Sequence, residues 1–160
     1  MAAAQDAWSQ LDASDDMNFR LSAAVGLGSI FYMEGYKVKE QLESISSSDG
    51  ETYGKARRQY NELMNKSYQS YIKGEEYIPD LVESNVTVLE ENGAAEYRID
   101  EAREHLYNDY TSILNTLTKL FELSMEMELL NDYRLRLERV EEGQLVLKPH
   151  PDLPDELIFN

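Results

Sequence analysis

From Met17 onward the apolar and small residues fall at Met17, Leu21, Ala24, Gly28, Phe31, Gly35, Val38, Leu42 and Ile45, at intervals that alternate between four and three. An α-helix turns once per 3.6 residues, so positions spaced this way share one face. The pattern predicts a long helix over 16–46, with Ser14-Asp15-Asp16 supplying side-chain oxygens for its first free amides. The middle of this stripe is small: Ala24, Gly28 and Gly35. Each glycine costs about 1 kcal/mol of helix stability against alanine. A helix that packs closely against the stripe, within the chain or from another chain, offsets that cost. A short helix over 2–12, carrying Trp8, precedes it.

Ser46 to Gly50 reads as a turn. Ser48 and Glu51 fit a capping box that opens a second helix over about 51–74, ending at Gly74. Its stripe is rich in tyrosine, with Tyr53, Tyr60, Met64, Tyr68 and Tyr71, while Lys55, Arg57, Arg58 and Lys66 line the opposite surface. Pro79 stands where a short third helix can start. Over 84–100 two patterns compete. Val86-Thr87-Val88 and Tyr97-Arg98-Ile99 alternate about Asn92-Gly93, as in a β-hairpin, and the same Asn-Gly can close a short helix as its C-cap. The second reading is preferred.

Asp100 is placed to cap another helix, with Leu106, Tyr110, Ile113, Leu117 and Leu120 on its buried face. Beyond 120 the residues Phe121, Leu123, Met125, Met127 and Leu129 alternate with polar ones, which suits a small β-hairpin or meander about Asn131-Asp132. Leu, Met and Glu favour helix over strand. One helix over 100 to about 141 is therefore expected, with the meander as the competing pattern. Gly143 ends it. Residues 144–160 form a tail in which Pro149, Pro151 and Pro154 enforce extension. The fold class expected is mainly α: an elongated bundle of two or three long antiparallel helices over 1–143, followed by an extended tail.

Composition narrows the function. With 31 acidic and 15 basic residues the formal net charge is −16. A phosphate-binding surface must be basic to release counterions, so direct binding to nucleic acid or to an anionic membrane is not expected. The absence of cysteine excludes disulfides, thiolate zinc sites and a cysteine nucleophile. The most apolar stretch, Leu21 to Met33, is too short to cross a bilayer, which takes about 20 residues. The first residues lack the basic region of a secretory signal, and the expected location is cytoplasmic.

The residues that usually carry chemistry are sparse. There are two histidines, His105 and His150, and neither stands in a Glu-x-x-His or His-Glu-x-x-His motif. No phosphate-binding glycine loop and no Gly-x-Ser-x-Gly elbow occurs. No catalytic, cofactor-binding or metal-binding residue is therefore assigned, and no cofactor or small-molecule substrate is expected. Arg98 and His105 resemble the Arg-x(4–6)-His signature of helical ribonucleases of the HEPN type. That resemblance covers two residues and implies RNA cleavage with His105 as the residue to test.

The features that remain point to protein contacts. Gly28 and Gly35 mark a close helix approach. Tyr53, Tyr60, Tyr68 and Tyr71 offer rings with an apolar body and a polar tip, suited to an interface or to filling the groove left by the glycines. In the tail, Leu145, Leu147, Leu157, Ile158 and Phe159 are costly to leave in water, so the tail either covers its own bundle or docks on a partner, and docking on a partner is the preferred reading. The expected function is a non-catalytic structural or adaptor subunit of a larger assembly, a virion or scaffold component or a homo-oligomer among them. Its partner would be another protein or a second copy. The alternatives are the HEPN-like ribonuclease and an acidic inhibitor that mimics nucleic acid.

Overall fold

Asp16 opens the first long helix as expected. Its carboxylate accepts the Asn18 amide at 2.8 Å, and α2 runs Met17–Ser44. It follows α1, Ala2–Asp12, in a computed structural model that describes residues 2–46, 48–145 and 148–159. The Trp8 indole of α1 lies directly over Gly26 of α2. The cap of the next helix differs from the expected box: Asp49, not Ser48, accepts the Thr52 amide, at 3.1 Å. Ser48 instead meets the Ser46 hydroxyl.

Helix α3, Gly50–Val82, is longer than expected and passes through both Gly74 and Pro79. Gly74 is a packing glycine here: a Cβ on it would stand 3.0 Å from Ile113 and 3.3 Å from the Ala24 methyl. The helix continues into one π-turn, Glu83–Thr87, and a last α-turn, α4, Val88–Glu91. It closes at Gly93, whose φ of 65° suits glycine. The amides of Gly93 and Ala94 reach back to the carbonyls of Glu90 and Leu89, the paired bonds of a Schellman cap. Asn92-Gly93 is thus a helix cap, and no strand forms among the described residues.

Helix α5, Glu96–Leu123, begins four residues before Asp100, so Asp100 is not its cap. Leu106, Tyr110, Ile113, Leu117 and Leu120 are all buried on it. The single helix expected over 100–141 is broken: α5 ends at Leu123 and α6 occupies Met127–Glu141. The break is another Schellman cap. Glu126 donates to the Phe121 carbonyl and Met125 to that of Glu122, with Met125 in the left-handed region at φ 60°. Glycine normally marks that position, and its absence conceals the break in the sequence. The meander is overturned as well, because 127–141 is helical. A third cap of the same kind, about Gly143 at φ 96°, ends α6.

The α2 and α3 helices form an antiparallel hairpin in which the stripe of small residues is filled from α3. A Cβ on Gly28 would fall 2.6–2.9 Å from the Tyr71 ring, and one on Gly35 3.0–3.3 Å from Met64. The Ser67 hydroxyl donates to the Gly28 carbonyl at 2.8 Å in the same buried seam. On its other side α3 packs against α5, and α6 folds back on α5. There Tyr68, Phe121 and Tyr133 stack edge to face, with centroids 5.9 and 4.9 Å apart. No helix of the described residues is long and apolar enough to cross a membrane.

Three substitutions test these helices and their packing. Gly28→Leu is expected to destabilise the chain by about 1–3 kcal/mol through overpacking, while Gly54→Ala, whose methyl would meet only the Arg58 side chain at 3.7 Å, is expected to stabilise it by up to about 1 kcal/mol. Met125→Gly is expected to raise stability by about 1 kcal/mol, since it relieves a left-handed residue whose side chain is 71% exposed. Urea denaturation of the three variants reads all of these.

Candidate functional site

Along one flank of α3, residues Asn61, Asn65 and Gln69 stand one helical turn apart and form a row of side-chain amides beside the buried Tyr60, Met64 and Tyr68. The C-terminal strip lies along that row. Asn65 is doubly engaged with Leu157: its Oδ1 accepts the Leu157 amide at 2.7 Å and its Nδ2 donates to the Leu157 carbonyl at 2.9 Å. Asn61 repeats the pair on Phe159, at 3.0 and 3.3 Å. The match follows from two repeats. Four helical residues rise about 6 Å and two extended residues about 6.6 Å, so amides at i and i+4 meet alternate residues of a strand.

The strip runs antiparallel to α3. Gln69 donates to the Asp155 carbonyl, the Tyr68 hydroxyl to that of Pro154 at 2.7 Å, and Arg57, at the far end, to that of Phe159 at 2.9 Å. Leu157 and Phe159 turn inward and are buried, Phe159 edge-on to Tyr60 with centroids 5.9 Å apart. Ile158 points out and is 71% exposed. The expected extension does not hold throughout the tail: Pro151-Asp152 forms a turn, closed by the Asp152 amide donating to His150 Nδ1 at 3.1 Å, and 155–156 bend.

Further along α3, Glu75 is fully buried. The Tyr133 hydroxyl donates to its Oε2 at 2.8 Å, and Arg136 stands 3.5 Å from Oε1. Arg136 also binds Asp132 at 2.6 Å and the Lys148 carbonyl at 2.5 Å, so one guanidinium ties α6 to α3 and to the root of the strip. Burial pushes the Glu75 carboxyl up to about 7, against the opposing pull of Tyr133 and Arg136. The hydroxyl of Tyr110, beside this group on α5, is buried without a hydrogen-bond partner among the described residues.

A second recess lies between the start of α2, the π-turn and α5. It is a cleft of about 530 Å³ with an apolar floor that includes Leu21, Leu89 and Leu106 and a polar rim that includes Asn18, Asn85, His105 and Asp109. Asn85 donates to Asn18 at 2.7 Å across it. Burial raises the Asp109 carboxyl above its ordinary value, and the neighbouring His105 opposes this. Arg98 is exposed and does not line the cleft.

The residues singled out for protein contact therefore divide. In the α2–α3 seam Gly28 meets Tyr71 and Gly35 meets Met64, and Tyr60 and Tyr68 lie under the strip. Leu145, Leu157 and Phe159 are buried against the chain's own helices, so these tail residues cover their own bundle instead of docking on a partner as expected. Tyr53, 39% exposed, and Ile158 remain on the surface. Leu147 lies outside the described residues. Asn61, Asn65, Gln69 and Glu75 were not singled out. The spacing Asn-x3-Asn-x3-Gln beside a tyrosine stripe was the available signal for the first three.

No known protein family, curated protein or solved structure matches the chain.

Two measurements follow from the site. The folded-state value of Glu75 lies above its unfolded one, so its contribution to stability is complete below about pH 4.5 and is lost as pH rises through about 7. Glu75→Gln keeps a partner for Tyr133 and is expected to flatten that decline, by on the order of 3 kcal/mol between the two limits; denaturant midpoints from pH 4 to 8 compare the two chains. Asn65→Ala strands the amide and carbonyl of Leu157 and is expected to cost about 1–3 kcal/mol, with accelerated hydrogen exchange confined to residues near 157.

Proposed function

We propose that this chain is a non-catalytic structural or adaptor subunit of a protein assembly in the cytoplasm, acting through protein–protein contacts. The supporting observation is the amide row of α3. Asn61 and Asn65 address the main chain of an extended segment, two bonds to each residue, while neighbouring pockets take its alternate side chains. This arrangement is suited to holding peptide, because main-chain bonds give affinity and side-chain pockets give selectivity. Large apolar residues on the surface, Phe19, Met33, Tyr97 and Leu135 among them, each at least 50% exposed, offer further contact area on an otherwise charged protein.

One observation favours a second reading. His105 sits on the rim of a cleft with Asp109 four residues on, within one face of α5, and the spacing from Arg98 resembles that of the HEPN-type ribonucleases. Against it, Arg98 is outside the cleft lining, and the net charge of −16 repels a polyanionic substrate.

The deciding experiment is purification from the native source under mild conditions, with mass measurement of the particle that carries the chain. The expected outcome is a stoichiometric complex well above the 18.5 kDa of one chain. A lone chain that cleaves RNA, with cleavage abolished by His105→Ala, would replace the adaptor by the nuclease.

A further inference from the structure

We propose that the cleft between the start of α2, the π-turn and α5 is a binding site for a small organic cation, an ammonium group on an apolar body, with the Asp109 carboxylate as its counter-ion. The proposal goes beyond the adaptor reading and does not rest on it. It departs from the expectation that the chain takes no small molecule.

The shape suits a compact ligand. The cleft holds about 530 Å³, and small-molecule sites hold roughly 300–1,000 Å³. Leu21 and Leu106 of its floor belong to the core, while Val88 in the same lining is 42% exposed. Apolar surface is therefore left in water that the body of a ligand would cover. Three stretches far apart in the chain, 18–22, 84–89 and 102–109, build the site, so no local motif marks it. The π-turn contributes Ser84 and Asn85. Single π-turns inside α-helices are rare and recur at functional sites.

Charge decides the ligand class. Among the described residues that line the cleft there is no lysine or arginine, and one acid, Asp109. Asn18 and Asn85 are engaged with each other across the cleft, at 2.7 Å. Asp109 differs: among the described residues no hydrogen bond or ion pair reaches its carboxylate. Burial raises this carboxyl above its ordinary value, and the neighbouring His105 opposes the rise. A half-buried carboxylate without a fixed donor favours a ligand that brings a charged one, because such bonds are about twice as strong as neutral ones. An anion is repelled by Asp109 and by the net charge of −16, and the same field concentrates cations near the surface. A metal ion would need several ligating side chains, and no group of three forms among the described residues. An amine on an apolar body uses both the carboxylate and the floor.

The chain carries its own reporter. It has two histidines, His105 and His150; the first lines the cleft and the second lies in the strip. Proton NMR of the two imidazoles, assigned with His150→Gln, therefore tells where a probe binds. The full-length chain is titrated at constant pH and ionic strength with phenethylamine, and with phenylethanol and phenylpropionate as its neutral and anionic counterparts. The amine is expected to shift the His105 signal saturably, with a dissociation constant of about 1 mM or tighter, and to leave the His150 signal in place. Both counterparts are expected to bind at least about tenfold more weakly. Asp109→Asn keeps the size of the side chain, removes its charge, and is expected to weaken the amine by at least about tenfold.

Circular dichroism reports whether Asp109→Asn keeps its helices. If it does not, Ser22→Phe serves instead. Ser22 is exposed on α2 and lines the cleft, so a ring there takes up the site from outside the core and is expected to abolish the shift. No saturable His105 shift with the amine would overturn the proposal. Amine binding that ignores the folded variant would overturn it too, because Asp109 or the cleft would then play no part. Phenylethanol bound as tightly as the amine would remove the counter-ion role, and preference for phenylpropionate would reverse the charge of the ligand; either result sinks the cation site. None of these readings depends on the mass of the native particle, so this titration and the co-purification succeed or fail separately.

Discussion

The close approach of α2 and α3 is the contact on which the rest of the molecule depends. Gly28 and Gly35 give α2 a surface with no side chain to hold a neighbour away, and Tyr71 and Met64 of α3 descend onto it. Without those glycines the two backbones would stand farther apart and the Ser67 bond to the Gly28 carbonyl would not close. The glycines weaken α2 as an isolated helix, and burial of a tyrosine and a methionine against them restores stability, at about 1.5–3 kcal/mol for each large side chain fully covered. The same logic recurs at Gly74, where Ala24 and Ile113 converge on α3 from two helices.

Once α3 is pinned in this way its other faces become available for different work. One side carries Tyr68 and Ile78 into the core shared with α5 and α6. The adjoining flank carries the amides that hold the strip. A polar row at the border of an apolar face answers a specific difficulty: an extended segment laid on a helix has no ladder of its own, and its partly buried amides and carbonyls need partners. A side-chain amide carries both donor and acceptor groups, so Asn61 and Asn65 each pair with the amide and the carbonyl of one strip residue.

Glu75 presents the opposite balance. A carboxyl without solvent access is unfavourable when charged, and the bonds from Tyr133 and Arg136 offset only part of that, which leaves the group near neutrality in its titration. Its position links α3, α6 and the root of the strip through one arginine.

The helical class, the extent of α2 and the buried faces of α2 and α5 were legible from spacing alone, since a period near 3.6 reports which residues share a face whatever they meet. The caps at Asp16, Gly93 and Gly143 were legible for a similar reason, because Asp, Asn-Gly and Gly act on backbone groups within a turn of themselves. The break at Met125 was not, because a left-handed methionine is unfavourable locally and is held only by the packing of α6 back on α5. Gly74 and Pro79 misled in the opposite sense: local rules end a helix there, and contacts from α2 and α5 carry α3 past both. The tail's apolar content was readable, but its seat was not. The sequence by itself determined that Leu157 and Phe159 need cover; only the tertiary structure decided that Asn61 and Asn65 supply it, because the match between a helical turn and two strand residues exists only once the chain has brought residues more than ninety positions apart into register.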